Sequence, residues 1–153
     1  MARCSIHVVG LGVDTGALLS GPAQQALRAA HTIVGSPRQL ELARRLVDCA
    51  SAQQRDLPKL AEVKALIDAL PAGEIAILAS GDPLYSGIGR WLGGQFDPSR
   101  LRFYPAVSSI QAVCSRLGLA QQDCQVVSLH GRDVSGLNRV LKQNRNIIVL
   151  TDV

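Results

Sequence analysis

Aromatic residues are scarce in this sequence, which contains one Trp, two Tyr and two Phe among 153 residues. Single-stranded nucleic acid is held by stacking its bases on aromatic side chains, and this chain offers few of them. Lys and Arg exceed Asp and Glu by only four, 16 against 12, and the basic residues form no run. So small an excess of positive charge suits a small polyanionic ligand as well as it suits nucleic acid, so the scarcity of aromatic residues weighs more. We therefore expect a small-molecule ligand and no nucleic-acid partner.

Metal-binding cysteine motifs and long apolar runs are also lacking. Cys4, Cys49, Cys114 and Cys124 show no C-x-x-C spacing and have no His near enough to complete a zinc site. Polar or Gly residues interrupt every apolar run well before the roughly 20 residues of a membrane span, and the start does not resemble a signal peptide. These absences predict no metal site, no membrane partner and four reduced thiols in a cytoplasmic protein.

The sequence does contain an alternation of strand-like and helix-like segments. Apolar, β-branched runs predict strands at 6–9, 32–35, 75–79, 101–104, 125–129 and 147–150. Helical patterns lie at 21–30, 37–47, 58–70, from Pro83 through Trp91, at 108–117 and at 137–143. The uninterrupted apolar run at 75–79 is typical of a strand buried on both faces. Together these patterns predict an α/β fold with a mainly parallel sheet flanked by helices.

The length of the chain allows one well-buried domain and the beginning of another. The last predicted strand is followed by nothing that could cover it. We therefore expect an N-terminal α/β lobe at 1–120 and the beginning of a second α/β lobe, incomplete here, at 121–153.

Gly10-Leu11-Gly12 follows the first predicted strand and invites a dinucleotide-binding interpretation, which fails two tests. Thr15 stands where G-x-G-x-x-G requires its third glycine, and the second strand ends without the acidic residue that would hold a ribose. A P-loop is excluded because no Gly-Lys-Ser/Thr follows. The glycine pair by itself indicates a ligand loop or simply a tight turn.

The segment Ser-Gly-Asp-Pro-Leu-Tyr-Ser-Gly at 80–87 follows the buried strand directly. Two interpretations of it stay open. In the first, Pro83 begins a helix whose positive end, together with Gly81 and Asp82, forms a nest for a ligand carboxylate. In the second, Asp82 merely caps that helix and the glycines serve the turn.

Two more polar segments follow predicted strands. In Pro-Ala-Val-Ser-Ser, at 105–109, Ser108 is expected to be an N-cap, which leaves Ser109 for a ligand contact. The segment Ser-Leu-His-Gly-Arg, at 128–132, contains His130. A lone His is more often structural or exposed at the surface than a ligand contact. Arg132 is the better candidate for gripping a carboxylate, because its planar fork matches one bidentately.

Taken in order, four segments resemble the tetrapyrrole (corrin/porphyrin) methylase family. They are Val-Gly-Leu-Gly at 9–12, Ala-Ser-Gly-Asp-Pro-Leu-Tyr-Ser-Gly-Ile-Gly at 79–89, and the segments at 105–109 and 128–132. Within the family, Ser-Gly-Asp-Pro and Ser-Leu-His-Gly-Arg are most similar to the members that methylate C5 of a precorrin. The resemblance covers essentially the whole chain.

The resemblance implies an S-adenosylmethionine-dependent C-methyltransferase of cobalamin biosynthesis, homodimeric, with the donor bound in a cleft between two α/β lobes. The positions that it assigns to the donor are Gly10, Gly12, Val13, Gly81, Asp82, Tyr85, Ser108, Ser109, Ile110, Leu150 and Thr151. His130 and Arg132 are assigned to the tetrapyrrole (precorrin) substrate.

Two alternatives remain at this point. Another member of the family, such as a precorrin-2, -3 or -4 methylase or diphthine synthase, shares the glycine segments, although Ser-Leu-His-Gly-Arg disfavours it. The chain could instead be a catalytically idle nucleotide-binding module.

Overall fold

The computed structural model of the protein describes residues 4–13, 18–129, 137, 141 and 146–151. The strands within these residues are β1 (Ser5–Gly10), β2 (Thr32–Gly35), β3 (Gln53–Asp56), β4 (Glu74–Ala79), β5 (Leu101–Tyr104), β6 (Cys124–Ser128) and β7 (Asn146–Leu150). The α-helices in the same part of the chain are α1 (Gly21–Ala29), α2 (Pro37–Leu46), α3 (Leu60–Ala69), α4 (Ile88–Gln95) and α5 (Ser109–Leu117). Short 3₁₀ turns, Pro98–Arg100 and Gln121–Asp123, precede β5 and β6.

The chain divides into two compact units, Met1–Ser108 and Ser109–Val153. In the described part of the first unit, five strands lie in the order β3-β2-β4-β1-β5, and every neighbouring pair is parallel. The second unit contains α5 and a parallel pair of strands, β6 and β7. The predicted fold class, α/β with a mainly parallel sheet, is confirmed. The predicted division after residue 120 stays a prediction.

Apolar side chains cover both faces of the five-stranded sheet. On one face, Leu27 of α1 and Leu40 of α2 belong to one buried cluster with Leu78 of β4. On the other face, Val63 of α3 and Leu92 of α4 belong to a second cluster. Residues 75–79 of β4 are all buried, as their continuous apolar run predicts. The helices α1 and α2 therefore lie on one face of the sheet, and α3 and α4 lie on the other.

The start of α2 is fixed by its own side chains. The hydroxyl of Ser36 accepts a hydrogen bond from the backbone N–H of Gln39 at 3.3 Å, and Gln39 Oε1 accepts one from the backbone N–H of Ser36 at 2.8 Å. This reciprocal arrangement is a capping box, and Pro37 occupies the first helical position, which needs no N–H donor. Ser36 is therefore the N-cap of α2, and the helix begins directly after β2.

The helix predicted to begin at Pro83 begins instead at Ile88, with Gly87 as its N-cap, so that part of the prediction is wrong. Residues 83–87 form turns. Ser86 has a φ of 52°, which interrupts a right-handed helix, and the backbone N–H of Gly89 donates to the Pro83 carbonyl across the loop. The positive end of α4 consequently does not follow Asp82 directly, and Asp82 does not cap that helix.

The sequence patterns missed strand β3. Its residues, Gln53–Asp56, are polar and mostly exposed because β3 lies at the edge of the sheet and pairs with β2 alone. A strand with no buried face leaves no apolar alternation to detect. The polar helix predicted at 137–143 lies outside the described residues, apart from Leu137 and Leu141.

His7 brings a polar side chain into the buried part of the sheet. Its Nδ1 lies 2.8 Å from the Tyr104 hydroxyl, and its Nε2 contacts the carboxylate of Glu74. Since both ring nitrogens have partners, the imidazole is accommodated among apolar neighbours without an unsatisfied polar atom.

No helix in the described part of the chain combines the length and the apolar character needed to cross a bilayer. All four cysteines lie within the described residues and are free thiols.

Burial raises the pKa of the Cys49 thiol, and the neighbouring Asp48 carboxylate raises it further. A raised pKa leaves less reactive thiolate at any pH below it. We expect iodoacetamide at pH 8 to modify Cys49 more slowly in the native protein than in urea, as measured by mass spectrometry of the labelled peptide. Equal labelling rates in the two states would show that Cys49 is accessible and unperturbed.

Candidate functional site

The carboxyl ends of β1 and β4 mark the candidate site. The two strands are parallel neighbours, with Gly10 paired to Ala79 at their ends. The chain leaves β1 toward α1 on one face of the sheet and leaves β4 toward α4 on the other. Neighbouring strands whose connections part in this way leave a crevice at their carboxyl ends, which is where ligands of open α/β sheets bind.

A backbone bridge joins the loops that follow these two strands. The N–H of Gly81 donates to the Gly12 carbonyl at 2.9 Å, and the N–H of Gly12 donates to the Gly81 carbonyl at 3.3 Å. Both residues adopt positive φ, 72° at Gly12 and 63° at Gly81, which favours glycine. The two glycine segments that the sequence singled out are therefore one structure.

The loop after β5 approaches the same point. A Cβ atom at Gly10 would lie 2.6 Å from the Gly81 carbonyl oxygen, 2.9 Å from Pro83 Cδ and 3.0 Å from Ala106 Cβ. A Cβ atom at Gly81 would lie 3.5 Å from Ser108 Cα. Glycines thus allow the loops after β1, β4 and β5 to converge, and we call these three segments, 11–13, 80–87 and 105–108, the converging loops.

The carboxylate of Asp82 connects two of the converging loops. Its Oδ1 accepts a hydrogen bond from the backbone N–H of Leu84 at 2.9 Å, within its own loop. Its Oδ2 accepts one from the backbone N–H of Ala106 at 3.3 Å, in the loop after β5. Neither of the two interpretations drawn from the sequence anticipated this second contact. Asp82 therefore holds the β4 and β5 loops together.

Exposed apolar side chains surround this junction. They are between 40 and 58 % exposed and come from all three converging loops: Val13, Leu84, Tyr85 and Val107. Apolar groups left at the rim of a crevice offer contact area for a ligand. Ser108, in contrast, is buried.

The remaining sequence-assigned positions lie in the second unit or outside the described residues. Ser109 begins α5, Ile110 is a buried residue of that helix, and Leu150 pairs with Ser128 at the end of β7. Thr151 follows β7 and is exposed. His130 and Arg132 lie outside the described residues.

A cleft of about 450 Å³ opens beside the converging loops, and we call it the α2 cleft. It is lined by Leu11, Gly12, Val13, Ser36, Arg38, Gln39, Glu41, Leu42, Arg45 and Ser80. Sequence reasoning missed its α2 wall. The Ser-Pro helix start after β2 was a usable signal, because the carboxyl end of a parallel strand lies at the same edge of the sheet as Gly12 and Ser80.

Gln39 connects the α2 wall to the converging loops. Its Oε1 is held by the capping box, and its Nε2 donates to the Ser80 hydroxyl at 3.1 Å. The amide therefore fixes the start of α2 relative to the loop after β4.

Comparison with known proteins agrees with this geometry. The family model for Tetrapyrrole (Corrin/Porphyrin) Methylases matches residues 5–153. A precorrin-6Y C(5,15)-methyltransferase [decarboxylating] from Sinorhizobium sp is 34% identical over 146 residues, which are 95% of this chain and 35% of that protein. A cobalt-precorrin-7 C(5)-methyltransferase from Salmonella typhimurium is 31% identical over 150 residues, which are 96% of this chain and 71% of that protein.

A solved structure shares the fold. The precorrin-6Y methylase of cobalamin biosynthesis from Archaeoglobus fulgidus superposes with a TM-score of 0.75 at 27% identity, over 97% of this chain and 73% of that one. The present chain thus spans about a third of one relative and nearly three quarters of the others named. The glycine loops, the parallel sheet and the family match lead to one conclusion: this chain belongs to the tetrapyrrole (corrin/porphyrin) methylase family.

Proposed function

We propose that the chain provides the S-adenosylmethionine-binding part of a methyltransferase that methylates a corrin precursor at C5 during cobalamin biosynthesis. The observation that carries the proposal is the junction of the converging loops at Gly10, Gly12 and Gly81, beside a cleft large enough for a ligand. The names of the Sinorhizobium and Salmonella relatives supply the reaction and its substrate class.

The residues at the junction suit the donor. S-adenosylmethionine has a flat aromatic purine, a ribose and a charged amino-acid end. Exposed Val13, Tyr85 and Val107 offer apolar contact for the purine, while the positive-φ backbone at Gly12 and Gly81 admits a close approach. We therefore propose that Gly12, Val13, Gly81 and Tyr85 contact the donor.

The other donor contacts come from the family resemblance. They are Ser108, Ser109, Ile110, Leu150 and Thr151, with His130 and Arg132 for the acceptor. Homodimerisation, a cytoplasmic location and the lack of a nucleic-acid or membrane partner belong to the same proposal.

When bound, the donor supplies a methyl group activated by a sulfonium. Held by the converging loops, the donor would supply this methyl group to a carbon nucleophile of the acceptor. The protein's task is to align donor and acceptor in line and to exclude water. Because the positive charge on the donor sulfur falls in the transition state, an anion against sulfur would favour the ground state. The carboxylate of Asp82 accepts hydrogen bonds from the backbone of Leu84 and Ala106. Asp82 therefore positions the loops and would hold the amino-acid or ribose end of the donor.

Titration calorimetry with S-adenosylhomocysteine tests the proposal. We expect a 1:1 isotherm for the purified protein and no heat from NAD, because the chain lacks the third glycine and the ribose-binding acid of a dinucleotide site. A methyl-transfer assay with precorrin acceptors then identifies the substrate. Binding of NAD without binding of S-adenosylhomocysteine would identify a nucleotide module of another kind.

A further inference from the structure

We propose that Arg38, together with Arg45, anchors carboxylate side chains of the methyl acceptor in the α2 cleft. The proposal rests on the proposed function and assigns to α2 a role that the sequence patterns gave to Arg132. It names a specificity-determining wall of the cleft and a chemical class of ligand group, the acetate and propionate arms of a tetrapyrrole.

The charges that line the α2 cleft favour an anion. Arg38, Arg45 and Glu41 are its charged residues. Glu41 is already engaged, because its Oε1 accepts from Arg45 Nε at 3.1 Å and its Oε2 accepts from an Arg44 nitrogen at 3.2 Å. Arg38 makes no hydrogen bond or ion pair within the residues that the structure describes. Its guanidinium is therefore available for a ligand carboxylate, which it can bind with two parallel hydrogen bonds.

The spacing of the two arginines distinguishes the acceptor from the donor. Arg38 and Arg45 are seven residues apart on α2, so they lie on one side of the helix, roughly 10 Å apart along its axis. A macrocycle with several peripheral carboxylates can reach both of them. S-adenosylmethionine has a single carboxylate and carries an ammonium and a sulfonium, so it matches this wall poorly.

The position of the cleft suits an acceptor next to the donor. Gly12, Val13 and Ser80 line the α2 cleft and also belong to the converging loops. Gln39 joins the wall that carries Arg38 to Ser80. A carboxylate held at Arg38 would therefore place the rest of the ligand against the loops proposed to hold the donor, as in-line transfer requires.

Fluorescence titration with uroporphyrin I, a tetrapyrrole with eight carboxylates, tests this assignment. We expect Arg38→Gln to weaken uroporphyrin binding about tenfold, the size of effect expected for losing a charge-assisted hydrogen bond. Arg38→Lys keeps the positive charge but loses the planar guanidinium that binds a carboxylate with two hydrogen bonds. We therefore expect a smaller loss of uroporphyrin affinity than in Arg38→Gln. Arg44→Gln is the matched control: Arg44 is on the same helix, bonds Glu41 and Gln54, and does not line the cleft. It should leave the affinity within about twofold of wild type.

Each measured result decides the proposal. Unchanged affinity in Arg38→Gln, an equal loss in Arg44→Gln, or no binding of uroporphyrin by the wild-type protein would overturn it. Binding of S-adenosylhomocysteine should be unaffected by Arg38→Gln, and its loss there would overturn the assignment to the acceptor. Absence of S-adenosylhomocysteine binding in the wild-type protein would instead count against the proposed function, so the two failures are distinguishable.

Discussion

Gly10→Ala is expected to lower the free energy of unfolding by about 3 kcal/mol and to abolish binding of S-adenosylhomocysteine. The new Cβ would lie 2.6 Å from the Gly81 carbonyl oxygen and 2.9 Å from Pro83 Cδ, and neither is the end of a flexible side chain. The loop after β4 must move, and the Gly81 carbonyl that accepts from Gly12 moves with it. One methyl group therefore breaks the junction on which the site depends.

Gly94→Ala provides the matched control. Gly94 lies within α4, and a Cβ there meets nothing within 4 Å. Alanine is the better helix former by about 1 kcal/mol, so this variant should be equally or more stable and should bind S-adenosylhomocysteine as the wild type does. Urea denaturation and calorimetry measure both quantities. Equal unfolding free energies for Gly10→Ala and the wild type would contradict the close approach of the three loops.

Asp82→Ala is expected to weaken S-adenosylhomocysteine binding at least tenfold and to destabilise the protein by about 1–3 kcal/mol. The substitution leaves the N–H groups of Leu84 and Ala106 without their acceptor. The β4 and β5 loops then lose the side chain that connects them. Asp82→Asn keeps one carbonyl oxygen but turns an NH₂ toward one of the two donors, so it should fall between alanine and the wild type.

Asp97→Ala provides a comparison for the local turn at Asp82. Asp97 Oδ1 accepts from the backbone N–H of Ser99 at 2.9 Å, the same i to i+2 arrangement that Asp82 makes with Leu84, but at the start of a 3₁₀ turn before β5. We expect this variant to lose some stability and to bind S-adenosylhomocysteine normally. If Asp82→Ala also bound normally, the contact with Ala106 would have no part in shaping the site.

Local patterns predicted the elements that bury apolar side chains or carry their own caps. The continuous apolar run of β4 and the Ser36-Pro37 start of α2 are short-range features, so neighbouring residues in the sequence are enough to recognise them. The start of α4 could not be read in this way. Pro83 is compatible with a helix, but Ser86 at positive φ and the long-range bond from Asp82 to Ala106 select a turn instead.

The candidate site likewise has one part that the sequence predicted and one part that it did not. The glycine segments were found because each follows a strand, and the carboxyl ends of parallel strands share one edge. The α2 wall, with Arg38 and Gln39, was missed because it faces the site only after β2 takes its place beside β4. Strand order is a long-range property that neighbouring residues do not encode.

By itself the sequence determined the α/β class, most of the element boundaries and the glycines at the two strand ends, because these depend on periodicity, caps and turns within a few residues. Only the tertiary structure decided that Gly10, Gly81 and Ala106 meet, that Asp82 connects two loops, and that Arg38 and Arg45 line a cleft. These contacts join residues far apart in the chain, and the packing of helices on both faces of one parallel sheet brings them together.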